Sequence, residues 1–353
     1  MQAAATFSLF PERSFVSESN GGRLNRQSSE KYYADSFFPG PAVEWFLMPE
    51  LPEVETIVRG LRPLVTGCRI LDAELPSAES NGAGSSVLRR ILRDPEWKIP
   101  GDFVDAIRGS SISGVRRHGK HLVFDLRSPS GKGSTRALLV HLGMTGRLTC
   151  EETPEPRSPH THLILSLDQP GRWLHYTDIR RFGRLQLLDV SENALGSLGP
   201  DPLEISFPEF ARLLRARRAM LKSLLLDQRF LRGLGNIYAD ESLFRAGLHP
   251  AALAARLSRQ QARRLYDAIR ETLTLAIAAG GSSIANYVDG LGNTGYFQHE
   301  HQVYQRTGEP CLQCGSPIRK TILASRSTHF CPRCQRARRS VHRRKPSVGK
   351  GIS

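Results

Sequence analysis

The sequence predicts a multidomain α+β chain: an N-terminal helix with an antiparallel β-sandwich, then a helical domain, then a C-terminal cysteine-bearing β-hairpin. Three observations carry this. A helical apolar face begins abruptly at Leu51, short alternating runs separated by Gly and Pro follow, and past residue 200 the period switches to that of helices. Four of the six cysteines close the chain in two C-x-x-C pairs.

Residues 1–47 are rich in Ser, Gly and Asn and show no sustained periodicity. Glu12, Glu18, Glu30, Asp35 and Glu44 are too acidic for a transit peptide, and no apolar core of a secretory signal is present. The segment reads as a disordered extension or as upstream sequence translated by mistake. The first structured domain is expected over 48–197. Within "PEVETIVRGLRPLV", Leu51, Val54, Ile57, Val58 and Leu61 share one helical face, and Pro52 suits a first turn where its missing N–H costs nothing. The runs "HLVFDL", "ALLVHLGM", "HLILSL", "RWLHYT" and "RLQLLDV" read as antiparallel strands.

"GSLGPDPLEISF" interrupts the pattern with Gly and Pro, placing a hinge at 198–203. Over 204–295 the helical segments are "FPEFARLLRARRAMLKSLLLD", "NIYADESLFRAGL" and "SRQQARRLYDAIRETLTLAIAAG". Residues 296–335 hold the cysteine pairs, and 336–353 form a basic tail with seven basic residues and no acid.

Lys and Arg number 49 against 34 acids, a net charge of +15; residues 1–47 carry four basic and five acidic groups, so the surplus lies beyond them. Such a surface attracts polyanions, nucleic acid first among them. No run of apolar residues is long enough for a membrane span.

Cys311, Cys314, Cys331 and Cys334 are spaced C-x2-C-x16-C-x2-C, which presents four thiolates to one structural Zn²⁺. A pair of redox dithiols is the alternative, but no βαβ pattern surrounds them. Arg319, Lys320 and Arg326 stud the intervening hairpin with positive charge. In "RGLGNIYADESLF", two glycines precede Asn236, an expected N-cap; the turn fits a phosphate at a helix N-terminus or is an ordinary connection. In "TDIRRFGRL", Arg180 and Arg181 flank Phe182, and Met144 stands in "HLGMTGR". They are either apolar wedges backed by arginine, as in proteins that open a duplex, or core residues.

"MPELPEVET", "RRHGKHL", "HLGMTGRL", "YTDIRRFGRL", "LLLDQRFLRGLGNIYADE", "GYFQHEHQVYQRTGEPC" and the four-cysteine segment occur in this order from Met48 to about Gln335. So arranged, they resemble the bacterial formamidopyrimidine-DNA glycosylases. The resemblance implies a helix-two-turn-helix DNA-binding domain over 204–295 and a zinc-finger hairpin. It implies a bifunctional glycosylase/AP lyase of base excision repair, acting as a monomer on damaged double-stranded DNA in the cytoplasm, at the nucleoid.

It further implies that Pro49 becomes the amino terminus and the Schiff-base nucleophile. Glu50 then shuttles a proton to the sugar, Lys120 grips phosphate and assists β-elimination, and Arg326 serves δ-elimination. His160, Arg180, Arg217, Lys222 and Asn236 match DNA-contacting positions; Met144, Arg180 and Phe182 match the trio that fills the gap left by a flipped nucleotide. An attached extension would leave the Pro49 nitrogen a tertiary amide, so translation from Met48 or cleavage at Met48–Pro49 is expected. The competing readings are an endonuclease VIII-type enzyme for oxidised pyrimidines, against which Leu51 stands, and a non-catalytic zinc-containing DNA-binding protein if the extension is retained.

Overall fold

The computed structural model describes residues 48–76, 91, 100–129, 135–156, 158–189, 198–284 and 287–337; the expectation for 1–47, and that for the tail 336–353 beyond residue 337, lie outside them. Helix α1 (Leu51–Val65) opens the described chain, with Pro52 in its first turn. Leu51, Val54, Ile57, Val58 and Leu61 are all fully buried, as the helical spacing requires. Truncating a side chain so placed costs about 2–5 kcal/mol.

Eight strands follow: β1 (Ile70–Glu74), β2 (Ser111–His118), β3 (His121–Arg127), β4 (Arg136–His141), β5 (Gly146–Glu151), β6 (Thr161–Leu167), β7 (Trp173–Asp178) and β8 (Arg184–Asp189); α2 (Pro100–Ile107) lies between β1 and β2. They form two four-stranded sheets, ordered β1-β6-β7-β5 and β2-β3-β4-β8. Every pairing is antiparallel. One apolar cluster joins inward residues of both sheets, such as Leu165 and Leu174 on one and Phe124 and Val140 on the other, with the buried face of α1.

The helical part comprises α3 (Phe207–Arg215), α4 (Leu221–Leu226), α5 (Asn236–Arg245) and α6 (Arg259–Ala278). Ser206 caps α3 through Glu209 N–H at 3.4 Å. Ser258 and Gln261 form a reciprocal capping box on α6, at 3.0 and 3.2 Å. The continuous helix expected across "FPEFARLLRARRAMLKSLLLD" is instead two, because Met220 leaves helical geometry to form a β-bridge with Leu253. Leu51 belongs to the core of this second domain, whereas Val54 and Ile57 belong to the sandwich core. Helix α1 therefore starts in one domain and ends in the other.

Last comes the hairpin β9 (Arg319–Leu323) and β10 (Arg326–Phe330), in register Leu323↔Arg326 through Arg319↔Phe330. Ala324 and Ser325 at its tip have φ of 51° and 56°. Two positive-φ residues match the right-handed strand twist, so the turn holds the hairpin in register without glycine. Phe244 of α5 packs with Val303, Ile318, Cys311 and Cys331, docking the hairpin onto the helical domain. No described helix is long and apolar enough to cross a membrane.

Candidate active site

Glu50 precedes α1 in extended conformation, its own N–H bonded to Glu53 Oε2 at 2.9 Å. Its side chain crosses to the other domain. Ile237 N–H donates to Oε1 at 3.0 Å and Tyr238 N–H to Oε2 at 3.4 Å. The first N–H groups of a helix have no internal partner, and the positive dipole end favours a carboxylate there. Glu50 thus caps α5, and Leu51 N–H bonds Gly233 O at 3.0 Å alongside. A Cβ on Gly235 would lie 2.4 Å from Glu50 Oε1 and 2.7 Å from Lys120 Nζ, so only glycine leaves room for both groups beside the start of α5.

Lys120 enters from the β2–β3 turn, where Gly119 takes φ 62°. Burial pushes the Glu50 carboxyl up, opposed by the Lys120 charge and the α5 amides. Burial pushes the Lys120 ammonium down, opposed by Glu50 and Glu53 and reinforced by Arg326. Both shifts disfavour the charged forms, because burial strips the two groups of water. Glu53 is pushed up to about 7 by burial and by the Glu50 charge; it accepts from Ser282 N–H at 2.8 Å and from Tyr238 Oη. Pro49 is buried beside this cluster and lines a cleft with Met144, Ile237, Ser282 and Tyr287.

Across the cleft, Met144 is half-buried and Phe182 is 52% exposed. The Arg180 guanidinium lies 4.6 Å from the Phe182 ring centroid. An exposed phenyl ring stacked under arginine is not a core residue. His160, half-buried before β6, accepts Asp178 N–H on its carbonyl at 3.0 Å. Arg217 is exposed in the break between α3 and α4.

At the far end the four cysteine sulfurs lie within 4.8 Å of one another, with Cys311–Cys334 at 3.9 Å and Cys314–Cys331 at 3.4 Å. Tetrahedral Zn²⁺ at the usual Zn–S length of about 2.3 Å spaces its sulfurs by about 3.8 Å, so the donor set fits. Arg326, exposed at the start of β10, is close enough to depress the Lys120 amine.

Family models match in sequence: formamidopyrimidine-DNA glycosylase N-terminal domain over residues 48–185, formamidopyrimidine-DNA glycosylase H2TH domain over 198–289, and a zinc finger found in FPG and IleRS over 308–337. A formamidopyrimidine-DNA glycosylase of Solibacter usitatus is 49% identical over 82% of this chain and 100% of its own length. The chain belongs to the formamidopyrimidine-DNA glycosylase family. One of Heliobacterium modesticaldum is 46% identical with the same coverage. Among solved structures, the MutM (FPG) protein of Thermus thermophilus is 41% identical, covering 81% of this chain and 98% of its own, with TM-score 0.66. A mutant of the Lactococcus lactis FPG, in complex with Fapy-dG-containing DNA, is 34% identical over 82% and 100%, TM-score 0.70. The family is one of glycosylase/AP lyases of base excision repair, and its zinc finger and the cysteine cluster agree on a structural zinc.

Two expected members of the glycosylase site are placed differently. Lys222 is 0% exposed: its ammonium bonds Asp240 Oδ1 at 2.6 Å and Asn236 O at 3.0 Å. A buried ammonium so engaged has no path to a phosphate. Lys222 instead holds the start of α5, and Asp240 extends the link to His329 of β10 through N–H at 2.8 Å and Nδ1 at 3.2 Å. Asn236 is the first residue of α5 rather than its N-cap, which is Gly235; its amide donates to Ser327 Oγ of the hairpin at 3.3 Å. Sequence reading missed Glu53, Tyr238 and Asp240, whose signals are confined to "PEVE" and "YADE" in motifs that were noticed for other residues.

Proposed function

We propose that this chain excises oxidised purines, such as 8-oxoguanine and formamidopyrimidines, from duplex DNA and then cuts the strand by β,δ-elimination, with Pro49 as nucleophile. The supporting observation is the Glu50 carboxylate held on the α5 N-terminal amides, with Lys120 packed at the same glycine and buried Pro49 lining a cleft alongside. A free prolyl nitrogen is a secondary amine, and the dipole of the helix it precedes disfavours its ammonium form. It attacks C1′ of the deoxyribose as the base leaves. Glu50, whose carboxyl burial holds towards the protonated form, delivers a proton to the ring oxygen, and the opened sugar becomes an iminium on Pro49. Lys120 grips the phosphate beside the lesion and assists β-elimination, and Arg326 serves the second elimination.

The extruded nucleotide leaves a gap that Met144, Arg180 and Phe182 fill. His160, Arg217 and Asn236 hold backbone phosphates, with Asn236 set in place by Lys222. The Zn²⁺ held by Cys311, Cys314, Cys331 and Cys334 contributes no chemistry; it keeps the Arg326 hairpin folded. The enzyme works as a monomer in the cytoplasm, on nucleoid DNA.

Borohydride reduces an iminium to a stable adduct, so trapping on a duplex with one 8-oxoguanine tests the reading. The form beginning at Pro49 is expected to trap, and one with residues 1–48 attached is not, because its Pro49 nitrogen is an amide. Absence of adduct from the Pro49 form refutes the proposal in favour of non-catalytic DNA binding. Preferential excision of thymine glycol refutes the purine assignment.

A further inference from the structure

The three side chains that enter the gap come from two loops, 142–145 between β4 and β5 and 179–183 between β7 and β8. Both loops converge on Asp178, which is 0% exposed. Thr145 Oγ1 donates to its Oδ1 at 2.5 Å. Gly183 N–H donates to Oδ2 at 2.8 Å and Tyr176 Oη to the same atom at 3.3 Å. The Thr145 hydroxyl, its proton already given to Asp178, accepts Arg180 N–H at 3.0 Å. One carboxylate thereby ties the residue after Met144 to the backbone on both sides of Phe182.

The loop backbones also touch. A Cβ on Gly143 would lie 2.6 Å from Gly183 N, and one on Gly183 would lie 1.8 Å from Tyr176 Oη, so no side chain can separate them. Arg181 between the two has φ 57°, a conformation non-glycine residues hold only where the surroundings over-determine it. Every group aimed at the Asp178 side chain is a donor, and only an acceptor at both oxygens satisfies them all.

We propose that Asp178 is the positioning residue that fixes Met144, Arg180 and Phe182 as one pre-assembled wedge, so that opening the duplex is a single concerted entry of three side chains. The proposal rests on the glycosylase reading above. Asp178 itself touches no DNA. Side chains already held in place lose less freedom on entering the duplex, which is where the gain arises.

Asp178→Asn keeps the shape but turns one oxygen into an NH₂ facing a donor. On the Pro49-terminated protein, single-turnover excision of 8-oxoguanine from duplex is expected to fall by at least about 10-fold, as loss of reactive geometry does. The fluorescence rise of 2-aminopurine beside the lesion, which reads duplex opening, falls with it. Trapping on a single-stranded abasic oligonucleotide, where nothing needs to be opened, stays at the wild-type level. In a Met144→Ala/Phe182→Ala background the same substitution is expected to add less than about twofold, because residues acting as a unit are not additive. Thr145→Val, which cuts the Asp178–Thr145–Arg180 link at equal volume, lowers duplex excision in the same way and serves if Asp178→Asn fails to fold.

Equal loss of duplex excision and single-stranded trapping in a folded Asp178→Asn protein overturns the proposal. So does a full additive loss in the Met144/Phe182 background, or wild-type excision by both Asp178→Asn and Thr145→Val. A wild-type protein that traps no abasic DNA overturns the glycosylase reading instead.

Discussion

Gly235→Ala is the sharpest single perturbation of the site. The added methyl would lie 2.3 Å from Glu50 Cδ, 2.4 Å from Oε1 and 2.7 Å from Lys120 Nζ. Ordinary contact begins near 3.4 Å, so the Glu50 carboxyl retreats by about 1 Å, a displacement that costs about 100-fold in rate where geometry is catalytic. That is about 2.7 kcal/mol of barrier. The retreat also breaks the bonds from Ile237 and Tyr238 N–H, 3.0 and 3.4 Å in the native arrangement. Gly235 has extended φ of −137°, so backbone strain adds nothing and the effect is steric alone. Single-turnover excision of 8-oxoguanine by Pro49-terminated protein is the assay, with affinity for abasic-site analogue DNA measured alongside. Excision within threefold of wild type in a folded Gly235→Ala protein refutes the role given to the Glu50 clamp.

Lys222→Met leaves Asp240 buried with one cationic partner lost and is expected to cost about 3–5 kcal/mol, read as a lowered denaturation midpoint; an unchanged midpoint counts against the buried pair. Removal of zinc by a strong chelator is expected to abolish trapping on duplex DNA while far-ultraviolet dichroism keeps the sandwich and helical signal, with one zinc per chain by elemental analysis before treatment. His118 is pushed down to about 4, by burial first and then by the charge of Arg232, and His141 to about 3, by burial and His121. Both are neutral in the fold, so the unfolded chain binds more protons below pH 6.5, and their contribution is present above that value and lost towards pH 4 and 3. Glu53, raised to about 7, acts with opposite sign from pH 4.5 to 7. The stability difference between His118→Gln and wild type therefore isolates the histidine: it should shift in favour of the variant as pH falls from 6.5 to 4, and a pH-independent difference contradicts the assignment.

Much of this arrangement was legible in the residues. Strands with inward apolar alternation, β3, β4, β6, β7 and β8, stood out, as did the buried face of α1. The others did not: β2 ends in "VRRH", whose arginines look like surface until Arg117 is seen bonded to Glu55 at 2.9 Å and Asp201 at 2.7 Å. β1 and β5 are short, polar edge strands of their sheet. Asn236 looked like an N-cap because local chemistry favours it, but the cap comes from Glu50, which lies 187 positions before its donor Ile237. Lys222 looked like a phosphate ligand because nothing local shows that Asp240, a full motif later, neutralises it. What escaped the sequence in each case is a pairing between distant segments.

That same reach from Glu50 to α5 has a bearing on how the protein is made. A ribosome emits Pro49 and its neighbouring acid nearly two hundred residues before the amides that restrain that acid. Until α5 folds, the Glu50 carboxylate of the nascent sandwich lacks its partners, and a product cut short before α5 holds only part of the proposed site. Assembly of the proposed site therefore waits until well over half of the chain has been made.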